Sequence, residues 1–322
     1  MTTIPKFSAL KRPDDSGFPL SWGIWGADDQ LGMLNNITPD VVVAAAKLVR
    51  RGVRFNLDLP LHLPYALLTP GEGFLNRKPP VHTLDKEDYR TLYVRDDKLD
   101  EFYLQGSTQW DGLTHVGTPQ IGFYNGVKAE QITFGEDTRN GIEHLAEFGI
   151  ATRGVLVDLL AHFKKTGRAW DATQTHGASV DDVQACLAAQ KVQLKSGDVL
   201  LFRYGWLQAL FAERDQKVRD AWFAEGRFAG IDGKQPMWEF LWDHHVAAVA
   251  GDNPTCEMAP MAKGDNLHAA IARLGLTIGE MFTLDKLADD CAKDGVYEFM
   301  FTSHPLNIRG GVGSPPNAIA IK

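Results

Sequence analysis

Short apolar runs bounded by glycine or proline alternate along this chain with stretches of helical period, and that alternation restricts it to folds in which strands and helices pack against each other in sequence order. Residues 53–59 alternate apolar and polar side chains up to Pro60, the pattern of a half-buried strand. Residues 154–159 and 197–204 read as buried strands, with further strands at 246–250, 298–303 and 317–321. The helices between them carry their own punctuation. Thr38 followed by Pro39 gives an N-cap and a first-turn proline for an apolar stripe over 41–49, which Arg50, Arg51 and Gly52 end. Ser179, with Asp182 three residues on, opens a helix over 179–190. Other helices are predicted at 141–148, through the charged and aromatic stretch 206–233, at 238–244 and at 263–274. Residues 60–90, rich in proline, glycine and charge, are expected as a long excursion that lines a site or covers an edge. Residues 1–36 hold aromatics, glycine and aspartate without a sustained period and are expected as an irregular arm packed on the body. No repeat or low-complexity linker divides 37–322, so that stretch is read as one α/β domain.

The chemistry concentrates between residues 105 and 115. Gln105, Gln109, Asp111 and His115 fall four, two and four residues apart. The first three offer oxygen ligands, and His115 either binds a metal or moves a proton near neutral pH. Gly106, Gly112, Ser107 and Thr108 suit a backbone that bends or packs closely, which makes the run a site loop following a strand. On residue types alone, a polar turn beside an ordinary packed histidine fits equally well.

This run resembles the metal motif of the cyclase family of metal-dependent hydrolases, which includes bacterial kynurenine formamidase, isatin hydrolase and trans-dienelactone hydrolase. The family motif is His-x-Gly-Thr-His-x-Asp-x-Pro-x-His. Thr108, Asp111 and His115 match it; Gln105 and Gln109 stand where its two early histidines would be, Ser107 replaces the glycine and Leu113 the proline. Gly197-Asp198, Arg203-Tyr204-Gly205-Trp206, the segment from Val249 to Pro254, His268 with Glu280, and the arm from Trp25 to Gly32 resemble further family segments. The similarity runs from Trp22 to the C-terminus.

The resemblance implies the family's swivelling β/β/α, barrel-like domain behind an irregular N-terminal arm. It implies that His268 and Glu280, twelve residues apart, complete a metal site begun by Gln105, Gln109 and Asp111, and that His115 is the acid/base histidine. By themselves His268 and Glu280 also suit the polar edge of a helix and an exposed strand end. The implied cofactor is a divalent ion, Zn2+ or Mn2+. An amide oxygen is a poorer zinc ligand than imidazole, and the two charges of Asp111 and Glu280 match one divalent ion, so one ion is expected over two. The implied reaction opens a C–O or C–N bond at a carbonyl of a small cyclic, planar substrate, a lactone before an amide or formamide, by metal-activated water with His115 moving the proton. The two glutamines motivate an alternative: a metal-free member that binds a small ligand, or a non-hydrolytic cyclase. A homo-oligomer, dimer or tetramer, is implied as well.

Composition narrows the partners. A chain of 322 residues, 44% hydrophobic and 23% charged, is long enough to bury a large core. A formal net charge of −8 disfavours nucleic acid, whose phosphates need a basic face. No uncharged apolar stretch approaches about 18 residues, so no membrane span is expected. The N-terminal residues carry no apolar core with a cleavage site, and Cys186, Cys256 and Cys291 are odd in number and widely spaced; a reducing, cytoplasmic setting is expected.

Rival features carry less. Cys256 has no marked base, and a lone cysteine usually packs as a small hydrophobe. His244 and His245 sit at a helix–strand junction, His304 in a turn before Pro305, and His62 and His82 in the long excursion. The glycines at 310, 311 and 313 lack the lysine and helix start of a phosphate loop. Trp110 fits either a pocket wall or the core.

Overall fold

A computed structural model describes residues 3–71, 76–88, 90–261 and 266–322. The arm behaves as its composition suggests: 3-10 turns at Phe7–Ala9 and Gly32–Asn36 bury Phe7, Leu10 and Met33 in the main core, and the Trp22 indole donates to the Ala272 carbonyl at 2.8 Å.

Helix α1 (Pro39–Ala46) begins at the expected proline and ends before residue 49, since the chain must turn there to lay the Arg51 and Val53 amides on the Lys322 carbonyl. Strand β1 (Arg54–Asn56) pairs antiparallel with the C-terminal strand and stops short of Leu59, because the Asp58 side chain leaves to accept the Ala318 amide at 2.9 Å. The 60–90 region departs from expectation. It contains β2 (Val81–Asp88), which pairs, among the described residues, only with β3 (Tyr93–Asp100) in an exposed hairpin. Neither strand has a buried face, so neither shows the apolar alternation that marks a strand in sequence. Side-chain pairs tie the hairpin instead, His82 with Asp97 and Arg95 with Asp88. The run expected as a loop is also corrected: its centre is strand β4 (Gln109–Asp111).

From there strands and helices interleave. They are α2 (Glu143–Phe148), β5 (Ile150–Asp158), α3 (Leu159–Thr166), β6 (Gly177–Ala178), α4 (Val180–Ala189), β7 (Val199–Arg203), α5 (Trp206–Ala212) and α6 (Gln216–Glu225). Then follow β8 (Gly230–Ile231), α7 (Gln235–Asp243), β9 (Ala248–Gly251), α8 (Ala269–Leu274), β10 (Thr277–Glu280), α9 (Asp285–Asp294), β11 (Glu298–Ser303), β12 (Gly313–Ser314) and β13 (Ile319–Ile321). The Ser179–Asp182 capping box forms as predicted. Helix α3 escaped notice because its N-cap, Asp158, lies inside an apolar run, where its carboxylate caps the Ala161 amide at 3.0 Å. The stretch 206–233 is not continuous helix: it breaks where Asp215 caps α6, and ends in β8, which pairs with β6. Of the helix expected over 263–274, residues 263–265 lie outside the described residues, and the described helix starts at Ala269.

Nine strands form one curled, half-barrel sheet in the order β1-β13-β11-β5-β7-β9-β10-β4-β12. The run β5-β7-β9-β10 is parallel and its flanks antiparallel. Both faces are covered: Val155, Val157, Leu200, Phe202 and Ile278 pack with residues of α4, α7 and α8, whereas Leu156, Leu201, Phe299 and Phe301 pack with residues of α9. Burial on both faces explains why these strands read as continuous apolar runs. Among the described residues no helix is long and apolar enough to cross a membrane.

Burial pushes the Asp58 carboxyl up to about 7, against the Ala318 hydrogen bond that favours its charge. A folded pKa above the unfolded value of about 3.9 stabilises the fold in full below that value and loses this as pH rises toward the folded pKa. Asp58→Asn, neutral throughout, is therefore expected to lose less stability than the parent between about pH 4 and about pH 7. Denaturation at both pH values checks this; parallel losses in the two proteins would refute it.

Candidate metal centre

The centre starts with the pairing of β4 and β10. Their antiparallel register sets Gln109 opposite Glu280, Trp110 opposite Gly279 and Asp111 opposite Ile278. Alternation then turns Gln109, Asp111 and Glu280 to one face and Trp110 to the other. Trp110 belongs to the core: it is wholly buried, packs on Phe282 with ring centroids 5.0 Å apart, and donates to Ser303 Oγ at 2.8 Å. Gly279 is required beneath it, since a Cβ there would lie 2.6 Å from the Trp110 ring. Thr108 fastens the start of β4, donating to the Met281 carbonyl at 2.6 Å while its hydroxyl accepts the Leu59 amide at 2.8 Å.

His268, the residue before α8, closes over this face. Its Nδ1 lies 2.6 Å from Glu257 Oε1, and the Glu257 carboxylate also accepts the Leu267 and His268 amides. The imidazole is thereby fixed with Nε2 turned to the carboxylates, 3.3 Å from Glu280 Oε1 and 3.7 Å from Asp111 Oδ2. His115 Nε2 lies 3.7 Å from Asp111 Oδ1. Donor atoms of Asp111, His115 and His268 all fall within 4.8 Å of one another.

Gln109 also belongs here, its Nε2 donating to Glu280 Oε2 at 2.6 Å and to Asp111 Oδ1 at 3.3 Å. Gln105 stands at the rim. Gly313 pairs with Asp111, and Gln105 Nε2 lies 3.0 Å from where a Gly313 Cβ would be, while the Gln105 carbonyl accepts Arg77 Nη1 at 2.6 Å. Glu280, a residue that also suited an exposed strand end, is buried at 4% exposure.

Sequence reasoning missed Glu257 and Arg77. Glu257 follows Cys256 without motif spacing, and its only signal is chemical: a ligand histidine needs an acceptor for its second nitrogen. Arg77 came from the long excursion and acts as a positive neighbour of Asp111, His115 and Glu280.

These charges separate the two central carboxyls. Burial opposes the Asp111 charge, yet His115, His268 and Arg77 hold its pKa below the ordinary value. Burial and the Asp111 charge push Glu280 up, against His268 and Arg77. Burial also lowers His115, with His268 and Arg77 adding to it and Asp111 opposing. His268 is raised well above the usual imidazole value, its carboxylate contacts outweighing burial.

The donor set suits a divalent ion. Asp111 Oδ2 and Gln109 Oε1 are buried without a hydrogen-bond partner, an arrangement that is costly unless something else satisfies them. The separations of 3.3 and 3.7 Å about His268 Nε2 are near the ~3.3 Å edge of a tetrahedron with ~2.0–2.1 Å bonds. The rival nucleophile is inert: Cys256 is fully buried, and burial with the nearby Glu280 and Glu257 charges raises its thiol far above the usual value. His244 packs on Phe240 with Nδ1 2.8 Å from its carbonyl, and His304 is exposed.

The family model described as Putative cyclase matches residues 56–258. The crystal structure of a novel cyclase is 34% identical, with a TM-score of 0.81 over 94% of this chain and 99% of that one. Isatin hydrolase A from Labrenzia aggregata, bound to benzyl benzoate, is 13% identical with a TM-score of 0.54, over 87% of this chain and 97% of that one. Isatin hydrolase A from Ralstonia solanacearum is 16% identical with a TM-score of 0.52, over 88% and 98%. Both of these share the fold. No curated protein matches the sequence.

The clasp at Thr108 is a test of how β4 is held. Thr108→Val keeps the shape and leaves the Leu59 amide and Met281 carbonyl unsatisfied, so it is expected to cost about 1–3 kcal/mol. Chemical denaturation measures this; an unchanged midpoint would mean the clasp holds nothing.

Proposed function

Because the chain belongs to the cyclase family, we propose that the centre at β4 and β10 holds a divalent metal ion and that the protein is a metal-dependent hydrolase, opening a C–O or C–N bond at a carbonyl. The observation that carries this is the convergence of Asp111, His115 and His268 from distant segments, with His268 pinned by Glu257. Asp111 and His268 would hold the ion, with Glu280 and the Gln109 oxygen beside them and Gln105 at the rim. A divalent ion, Zn2+ or Mn2+, supplies Lewis acidity toward the carbonyl and makes water a stronger acid.

The two histidines differ in a way that supports separate roles. A ligand histidine has its second nitrogen fixed by an acceptor, as His268 has. No hydrogen bond holds the His115 ring among the described residues, and its side chain is 22% exposed against 12% for His268. His115 is therefore the proton carrier: it takes the proton of the attacking water and returns it to the leaving oxygen or nitrogen. Fold relatives named for isatin support a small, cyclic, planar substrate, and within that class a lactone is the reading favoured here.

One observation favours a second reading. Asp111, Glu257 and Glu280 surround His268 closely enough to hold it as an imidazolium without an ion, as a metal-free ligand-binding protein or a non-hydrolytic cyclase would need. Elemental analysis of purified protein, with turnover of lactones, cyclic imides and N-formyl aromatics before and after chelation, separates the two. Metal-free protein that turns over the panel unchanged would overturn the metal-dependent reading.

His115→Ala is expected to keep the ion and lose about 10²–10⁴ in turnover, the usual contribution of a positioned acid/base group. A folded but metal-free variant would instead make His115 a ligand. Glu257→Gln is expected to weaken metal affinity about 10–100-fold by loosening the His268 ring. Competition with a chelating dye measures it, and parental affinity would rule out that orienting role.

A further inference from the structure

Gln109 is 1% exposed and lies between two carboxylates on facing strands. Carboxylates that share a neighbour need a donor from it, so the amide must turn its NH2 toward them. The contacts agree, with Nε2 at 2.6 Å from Glu280 Oε2 and 3.3 Å from Asp111 Oδ1. One amide nitrogen thus does what a bridging cation would do, holding two buried carboxylates together. Its oxygen is left buried and without a hydrogen-bond partner, as is Asp111 Oδ2, which lies 3.7 Å from His268 Nε2.

We propose that the Gln109 amide takes the place of a cation between Asp111 and Glu280, so that the centre admits one divalent ion, on the His268 side, and excludes a second. This rests on the metal-dependent reading above. Charge points the same way. With His268 neutral, as a ligand must be, Asp111, Glu257 and Glu280 against the Arg77 guanidinium leave two negative charges, enough for one divalent ion. A second ion would have to strip Nε2 from both carboxylates and would leave two positive charges buried without compensation. Histidine at 109 would offer a lone pair in place of a bridging donor, and glutamate would add a third acceptor; either change gives the carboxylates a need for a second cation.

The test is a titration of chelator-treated, full-length protein with Zn2+, read by calorimetry and by elemental analysis after gel filtration. The parent is expected to take up one ion per chain, and Gln109→His and Gln109→Glu two. Metal-free Gln109→Glu is further expected to melt below the metal-free parent at pH 8, and to regain stability only with the second equivalent. Two ions on the parent would overturn this inference and leave the hydrolase reading standing. No ion on the parent would overturn the metal-dependent reading and this inference with it. Variants with parental circular dichroism that still bind a single ion would overturn this inference alone, and if one variant fails to fold, the other together with the parent decides.

Discussion

The antiparallel contact between β4 and β10 is the constraint on which the centre depends. Each strand is only three or four residues long, so neither could hold a charged group in place alone. Together they fix a register in which Gln109 meets Glu280 and Asp111 lies one step along the same face. The other face is locked by Trp110 over Gly279 and by its bond to Ser303 of β11. A slip of one residue would bury Asp111 in that aromatic packing and turn Trp110 outward, a change too costly to be populated. The apolar side of the sheet thus positions the polar side.

Around that pair, buried charge is kept tolerable by reciprocity. Glu257, fully buried, is held by two backbone amides and the His268 ring. His268 faces Asp111 and Glu280, and Gln109 spans the two. What stays unsatisfied, Asp111 Oδ2 and Gln109 Oε1, lies within the same group of side chains. In the scaffold, Arg153 is paired with Asp198 and Glu298, and Arg203 with Asp158 and Asp285, joining β5, β7, β11 and α9.

The exposed hairpin of β2 and β3 follows a different rule. Its strands pair with each other over eight residues, and Leu84, Tyr93 and Leu99 face outward. Cross-strand side-chain pairs and backbone bonds hold it. That is why nothing in its composition separated it from a loop.

By itself the sequence determined the elements whose signals are local. The capping box at Ser179, the proline-led α1, the doubly buried β5 and β7 and the arm's apolar anchors follow from side chains within a few residues of one another. Through its resemblance to the cyclase family it also carried candidates for the centre, the run from Gln105 to His115 and the pair His268 and Glu280. Only the tertiary structure decided that Gln109 bridges two carboxylates while Gln105 waits at the rim, that Glu257 orients His268, and that Arg77 comes in from the long excursion. The physical reason is separation along the chain. Glu257 and His268 are eleven residues apart and Gln109 and Glu280 171, and no local period couples such positions; sheet register brings the second pair together, and the Leu267 and His268 amides hold Glu257 to the first.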